Sequence, residues 1–395
     1  MKSLLVKHYH LSVIVFVCMW LSLGLIWTSG FAHIDKALIA FASIFGSYFL
    51  LSKYSGNLSS NLKSLDFTVA KSWLTYLYIS CLLLVSVDLV YMGELPGFKA
   101  FNIDNAETIR ALRQSIHENA PKWLIYLSGF NLKALIPFAL LSSLITKNKT
   151  WYFILLIIGV VYAFGMMQKS FVFSVLFPCM IFSFLQKKWG YLIKYVFIIL
   201  FCTFGTTALA SKAPAPSPNQ EKVEQPALPL WLRIPIGIAD RTIIRPGEVM
   251  GKWFEVIPKD KPYLYGDGYK IIAKIKGNEF HTYTTELYPI LYPKYHERGL
   301  TGSVNCASFV REYSNFGYLG LVLGGILVGF VVFITHIYFG EDRILSISLN
   351  IFPLLMVSSK SLMTILFSGG WGLTLLLLVL FKKPLSTQIQ GNNHE

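Results

Sequence analysis

The sequence predicts an all-α polytopic membrane protein of about ten transmembrane helices with one large outer loop. Three observations carry that expectation. Of 395 residues, 54% are hydrophobic and 15% aromatic while only 14% are charged; a soluble chain of this length would form two or three domains with about a quarter of its residues charged. The apolar residues gather in long blocks, separated by short charged segments. The net charge of +14 is spread between those blocks rather than gathered in one domain, which is the pattern of topology signals and argues against a nucleic-acid partner.

The blocks, in order, are Leu11–Trp27, Ala37–Ser52, Trp73–Tyr91, Trp123–Thr146, Trp151–Met167, Ser170–Leu185, Tyr191–Leu209, Phe316–Phe339, Ile344–Ser358 and Leu362–Phe381. Several fall short of the roughly 20 residues that a helix needs to cross the hydrocarbon. The first block is too long, and lacks the cleavage site, for a removable signal peptide. Ten spans with both termini inside place Lys2, Lys7, Lys53, Lys63, Lys71, Lys147, Lys149, Lys187, Lys188, Arg343, Lys382 and Lys383 on one side, as the positive-inside rule requires. Residues 1–209 then hold seven helices with a short outer loop at 92–122, residues 210–315 form a large outer loop, and residues 316–395 hold three helices and a tail.

Positive charge on the outer side runs against that rule. Lys169 in GMMQKSF and Lys360 in VSSKSLM occupy matching hairpin turns; each either snorkels to headgroups or lines a cavity facing an anion. In the short loop, Asp104 and Glu107 have capping-box spacing and Pro121 marks a stop, predicting a helix of about three turns. Arg110, Arg113 and His117 share one of its faces, with Ile109, Leu112 and Ile116 beside them. This is either a lipid-anchored amphipathic helix or a cationic stripe for phosphate.

The large loop opens with SKAPAPSPNQEKVEQPALP, a linker composition, and from Leu230 turns to mixed residues including Trp231, Trp253, Tyr263, Tyr265 and Tyr269. Arg241 and Arg245 are i, i+4, a spacing that suits a diphosphate because guanidinium groups offer paired planar donors. Pro246 is expected to end that helix. Alternatively, Asp240 and Glu248 simply neutralise these arginines on a solvated surface. Arg311 and Glu312 lie just before the eighth block, where Gly317, Gly320, Gly324, Gly325 and Gly329 permit close helix packing. Asp88, an acid within the third block, is a functional candidate by default, or a partner for a lysine.

Four of the five cysteines, Cys18, Cys81, Cys179, Cys202 and Cys306, fall in apolar blocks without metal-like spacing. There is no Gly-rich nucleotide loop and no HExxH. Cations gathered outside the membrane beneath aromatic and acidic residues fit a lipid-linked diphosphate and a sugar. Arg and Lys would stabilise the departing diphosphate, while Asp240, Glu248, His281 or Asp88 would take the proton from an attacking sugar hydroxyl. Tyr and Trp faces would stack on sugar rings.

On the MMQKS hairpin, RTIIRPGEV, YGDGY and REYSNFGYLGLVLGGILVG following a long outer loop, the chain resembles the Wzy-type O-antigen or capsular repeat-unit polymerases of bacterial inner membranes. The resemblance implies a glycosyltransferase with a periplasmic site. Donor and acceptor would both be undecaprenyl-diphosphate-linked glycans, with no metal or cofactor and with a chain-length regulator as a possible partner. Arg241, Arg245 and Arg311 match the family's functional loop arginines, and Lys169, Arg110 and Arg113 join them as candidate diphosphate ligands. A repeated pair of Arg-containing loop motifs is missing. Two rival readings stand beside it: an O-antigen ligase delivering to a lipid A core, and a non-enzymatic lipid-linked oligosaccharide flippase.

Overall fold

A computed structural model describes residues 8–54, 69–103, 108–109, 112, 120–210, 236–237, 240, 244–297, 302–339 and 343–391. All regular elements among them are helical. The principal helices are α1 (Tyr9–Ser29), α2 (Ile34–Lys53), α3 (Trp73–Met92), α4 (Lys122–Ile145), α5 (Lys149–Gly165), α6 (Lys169–Leu185), α7 (Trp189–Ala210), α8 (Arg245–Val256), α9 (Lys270–Lys276), α10 (Ser308–Phe339), α11 (Arg343–Leu355) and α12 (Trp371–Gly391).

Six of these are long and apolar enough to cross a bilayer: α1, α2, α3, α4, the Trp189–Thr207 part of α7, and α10. The apolar helices Lys149–Gly165, Ser170–Leu185 and Arg343–Ser358 are shorter. One expected span is corrected, and another carries a reversal that apolar counting does not show. The Leu362–Phe381 block is not one helix: a short helix, Leu362–Leu366, stops at Gly370 (φ 81°) before α12 begins, because Ser368-Gly369-Gly370 supplies a positive-φ break that apolar counting does not see. The Phe316–Phe339 block is the second arm of a hairpin. Gly317 adopts φ 61°, ψ −139° inside α10, a region essentially reserved for glycine. A Cβ on Gly320 would overlap the Glu312 carbonyl, and one on Gly324 would stand 3.1 Å from the Phe309 Cα. Residues 308–316 therefore fold back along the start of the long arm.

The chain divides into two compact units. The first comprises Met1–Ser64, Gln225–Gly340 and Leu354–Thr364. Its main seam joins α2 to the long arm of α10, where Gly325 lies against Ser43 and the Ala40 carbonyl and Gly329 lies against Ser47 and Ile44. The expected role of the glycine stripe in close packing is what these contacts do. The amphipathic α8 buries Val249, Met250, Trp253 and Phe254, and Gly247 lets it sit directly on the backbone of Gly24 and Leu25 in α1. Lys36 Nζ donates to the Phe254 carbonyl at 3.0 Å and Tyr313 Oη to the Ile257 carbonyl at 3.1 Å.

The second unit comprises Leu65–Glu224, Glu341–Pro353 and Ile365–Glu395. Helices α4 to α7 follow one another through a repeated turn in which Lys147, Met167 and Lys187 take positive φ near 55°. The amides of Asn148 and Lys188 reach back to Ser143 and Ser183, closing helix ends in Schellman fashion. Within α4, Asn131–Leu135 is a π-helical turn. It carries Asn131, which donates to the Cys81 carbonyl at 3.1 Å, and Lys133, which donates to the Ser368 carbonyl at 2.9 Å.

Candidate anion site

The first unit holds a cavity of about 250 Å³ lined by Trp253, Phe280, Thr282, Thr284, Asn305, Cys306, Arg311, Lys360, Ser361 and Thr364. Arg311 stands on the short arm of α10. Its Nη1 donates to Ser361 Oγ at 2.8 Å and its Nη2 to the Gly268 carbonyl at 2.9 Å, with the guanidinium over the Tyr269 ring. Lys360 follows the 3₁₀ turn Met356–Ser358, in a segment held to the same arm where the Leu362 amide donates to Ser308 Oγ at 3.0 Å. Two residues from distant parts of the sequence are thus brought to one cavity by the hairpin at Gly317.

The electrostatics of the cavity are one-sided. Among the described residues no carboxylate lines it, and neither Arg311 nor Lys360 has an acidic partner. Burial of Lys360 disfavours its charged form and lowers its pKa from the ordinary lysine value. Trp253 is 1% exposed and its indole N–H has no acceptor among the described residues; buried donors left in this state are rare in folded proteins. Two cations without an acidic partner among the described residues and the hydroxyls of Thr282, Thr284, Ser361 and Thr364 make a donor-rich lining suited to a multivalent oxyanion. Burial pushes the Cys306 thiol up to about 12, so it remains a neutral thiol and not a nucleophile at neutral pH.

A second concavity of the same unit, about 620 Å³, has the opposite character. Its lysines are already paired, Lys261 with Glu286 at 2.6 Å and Lys276 with Asp267 at 2.6 Å, to which Asn278 also donates, and His281 Nε2 lies 2.7 Å from Glu286 Oε1. Tyr263, Tyr265 and Tyr283 complete its walls. Phe280, Thr282 and Thr284 face the cationic cavity while His281 and Tyr283 face this groove, the period-two alternation of an extended segment.

The remaining predicted site residues sit elsewhere. Arg245 donates through Nε to Asp240 at 2.9 Å and through Nη1 to Glu248 at 2.8 Å. The alternative weighed for this stretch, carboxylates neutralising an arginine, describes this triad. Burial opposes the Arg245 charge, but the Asp240 hydrogen bond and the Glu248 and Asp240 charges outweigh it and raise the pKa. Pro246 does not end a helix; it occupies the first turn of α8, where its missing N–H costs nothing. Arg241, Arg110 and Arg113 lie outside the described residues, as do Asp104, Glu107, Ile116, His117 and Trp231. Ile109 is buried in a small cluster with Ala100 and Met167. Lys169 opens α6 in the second unit. Asp88, also in that unit, pairs with no lysine among the described residues: it accepts a hydrogen bond from Tyr162 Oη, and its other carboxylate oxygen is buried without a donor.

Sequence reasoning missed three things here. Thr282 and Thr284 carried a readable signal, hydroxyls at strand spacing after Phe280. Ser361 and Thr364 carried only proximity to Lys360. Lys133, a lysine inside a span-length apolar helix, was a plain signal that counting by blocks concealed.

The five cysteines are free and buried, and no group of three or more metal-ligating side chains converges among the described residues. Compared with known proteins, the chain matches no family model, no curated sequence and no solved structure.

Proposed function

We propose that the protein is a membrane glycosyltransferase that joins polyprenyl-diphosphate-linked oligosaccharide repeat units into a longer glycan at the periplasmic face of a bacterial inner membrane, through about ten spans with both termini cytoplasmic. The observation that carries this reading is the contrast between two neighbouring concavities. One has two cations with no acidic partner among the described residues, Arg311 and Lys360; the other has self-neutralised charges and tyrosine walls. A diphosphate requires the first kind of lining, and an uncharged hydroxyl-rich sugar suits the second, where rings can stack and paired carboxylates can still accept hydrogen bonds.

In the reaction a hydroxyl of the acceptor glycan attacks the anomeric carbon of the donor. The carbon–oxygen bond to the diphosphate breaks, and the bonding pair leaves with the diphosphate. Arg311 and Lys360 meet the charge that develops on it, which is where fixed cations accelerate the step most. The hydroxyl proton goes to a base at the acceptor. Asp240, Glu248 and His281 are the nominated bases, and of these His281 lies in the groove, one residue from the cavity wall, with its Nε2 held against Glu286. Asp240 and Glu248 are engaged by Arg245 and would have to release it to act.

The test is reconstitution of purified protein with polyprenyl-diphosphate-linked repeat units. Longer glycans with one lipid diphosphate released per bond formed, abolished by Arg311→Ala, is the expected result. Transfer only to a lipid A core acceptor would make the protein a ligase. Transbilayer movement without bond formation would make it a flippase and refute the enzymatic reading.

A further inference from the structure

Helix α9 presents two isoleucines outward with no described residue over them. Ile271 is 75% and Ile275 80% exposed, and at i, i+4 they share one side. Ala273 faces the protein at 1% exposure. Lys270 and Lys274, also i, i+4 and both exposed, run along the adjacent side. Gly277 closes the helix in the left-handed conformation, with the Asn278 amide returning to the Ala273 carbonyl at 2.9 Å. So short a helix, KIIAKIK, persists because it is stitched at both ends. Its apolar pair nonetheless forgoes the burial that normally stabilises such side chains.

Its position within the unit says what can cover that pair. The preceding turn is bound to the short arm of α10: the amides of Leu264 and Tyr265 donate to the Ser314 and Asn315 carbonyls, and the Gly268 amide to Asn315 Oδ1. Tyr269 stacks on Phe316, the residue before the Gly317 reversal into the long apolar arm, and a Cβ on Gly266 would touch both Ile272 and Phe316. The helix therefore sits at the mouth of a span-length helix. Exposed lysines flanking an apolar pair at that level match an anionic lipid surface.

We infer that α9 is an interfacial anchor, with Ile271 and Ile275 inserted at the acyl boundary of an anionic phospholipid leaflet and Lys270 and Lys274 at its phosphates. The anchor acts on the cationic cavity through a short path: Gly268, whose carbonyl receives Arg311 Nη2, lies two residues before the helix. Seating α9 in the headgroups fixes the depth at which Arg311 meets a lipid-borne phosphate. This inference rests on the long apolar helices crossing a membrane and not on the transferase chemistry.

Because the five native cysteines are buried, bimane can be placed on full-length Ile271→Cys, Ile275→Cys and, as an exposed loop reference, Lys259→Cys. The proteins are reconstituted in phosphatidylethanolamine–phosphatidylglycerol vesicles with brominated acyl chains. Blue-shifted emission, quenched several-fold more at 271 and 275 than at 259, is expected, and exchanging phosphatidylglycerol for phosphatidylcholine should reduce it. Quenching of 271 and 275 by aqueous iodide instead overturns the inference. Shielding from both quenchers, which would mean a protein cover, overturns it as well. Quenching indifferent to lipid charge overturns the role of the lysines. Loss of glycan synthesis with bromolipid quenching intact would count against the transferase reading alone.

Discussion

Arg311 and Lys360 face the same cavity, and among the described residues no carboxylate shares it with them. Two like charges in a partly dry site cost the free protein stability, and a multivalent anion recovers that cost on binding. Pyrophosphate should therefore raise the Tm of the purified protein. Arg311→Ala and Lys360→Ala should each weaken pyrophosphate binding by about ten- to a hundredfold, the worth of roughly 1.5–3 kcal/mol per charged hydrogen bond. Equal titration curves for wild type and both variants would remove the cavity from consideration.

The second prediction concerns pH. Burial lowers the Lys360 pKa below the ordinary 10.5. Between the lowered folded value and 10.5 the unfolded chain binds the extra proton, so the unfavourable contribution of Lys360 to stability is complete below its folded pKa and is relieved as pH rises through that window. Anion affinity has the opposite dependence: it requires the ammonium and falls as pH passes the lowered value. Lys360→Arg keeps its charge throughout. Pyrophosphate dissociation constants measured across the alkaline range should diverge between wild type and Lys360→Arg, since the anion's own titration is common to both. Parallel profiles would mean that Lys360 does not contact the anion.

Much of this was legible in the sequence, for identifiable reasons. Apolar blocks announce helices, and Arg311 and Lys360 stood out because both break the charge rule on the outer side. Their meeting was not legible. It depends on a chain reversal at Gly317, hidden inside what reads as one apolar block, and on the Leu362 amide meeting Ser308 Oγ. Arg245 shows the reverse case: its spacing suited a diphosphate, yet Asp240 and Glu248, visible in the same stretch, claim its donors. His281 and Thr282 are neighbours in sequence and face different cavities, because an extended segment alternates sides where helical reasoning would have kept them together.

Arg245 can be separated from Arg311 by experiment. With both carboxylate partners in place and the side chains 39% exposed or less, Arg245→Ala should cost about 1 kcal/mol or less after solvent screening and leave pyrophosphate affinity unchanged. A loss of affinity as large as that of Arg311→Ala would restore Arg245 as a phosphate ligand and mean that its ion pairs open on binding.

Gly320 tests the hairpin that assembles the site. A methyl group there would overlap the Glu312 carbonyl, forcing the short arm away from the long one and moving Arg311 with it. Gly320→Ala should lower stability by about 1–3 kcal/mol, the usual range for overpacking, and should also abolish the pyrophosphate-induced rise in Tm. Gly46 in α2 has nothing within 4 Å of its would-be Cβ, so Gly46→Ala should be neutral or gain about 0.5–1 kcal/mol from helix propensity. A Gly320→Ala protein that keeps normal stability and pyrophosphate response would show that the two arms do not need their close approach.

Trp253 gives the most discriminating prediction, because its effect should depend on ligand. Its buried indole N–H lacks an acceptor among the described residues while the ring lines the cavity. In the free protein that donor is a cost of about 1–3 kcal/mol; an oxyanion in the cavity would satisfy it and turn the cost into binding energy. Trp253→Phe removes the donor but keeps an aromatic ring. The baseline Tm will shift by the balance of a lost orphan donor and a small packing defect, and that balance is the same with and without anion. The pyrophosphate-induced increment is a separate quantity, and it should shrink in Trp253→Phe while remaining whole in Trp253→Phe-sized changes outside the cavity, such as Phe254→Leu. An undiminished increment would mean that the anion does not reach the indole and binds on the Arg311–Lys360 side alone.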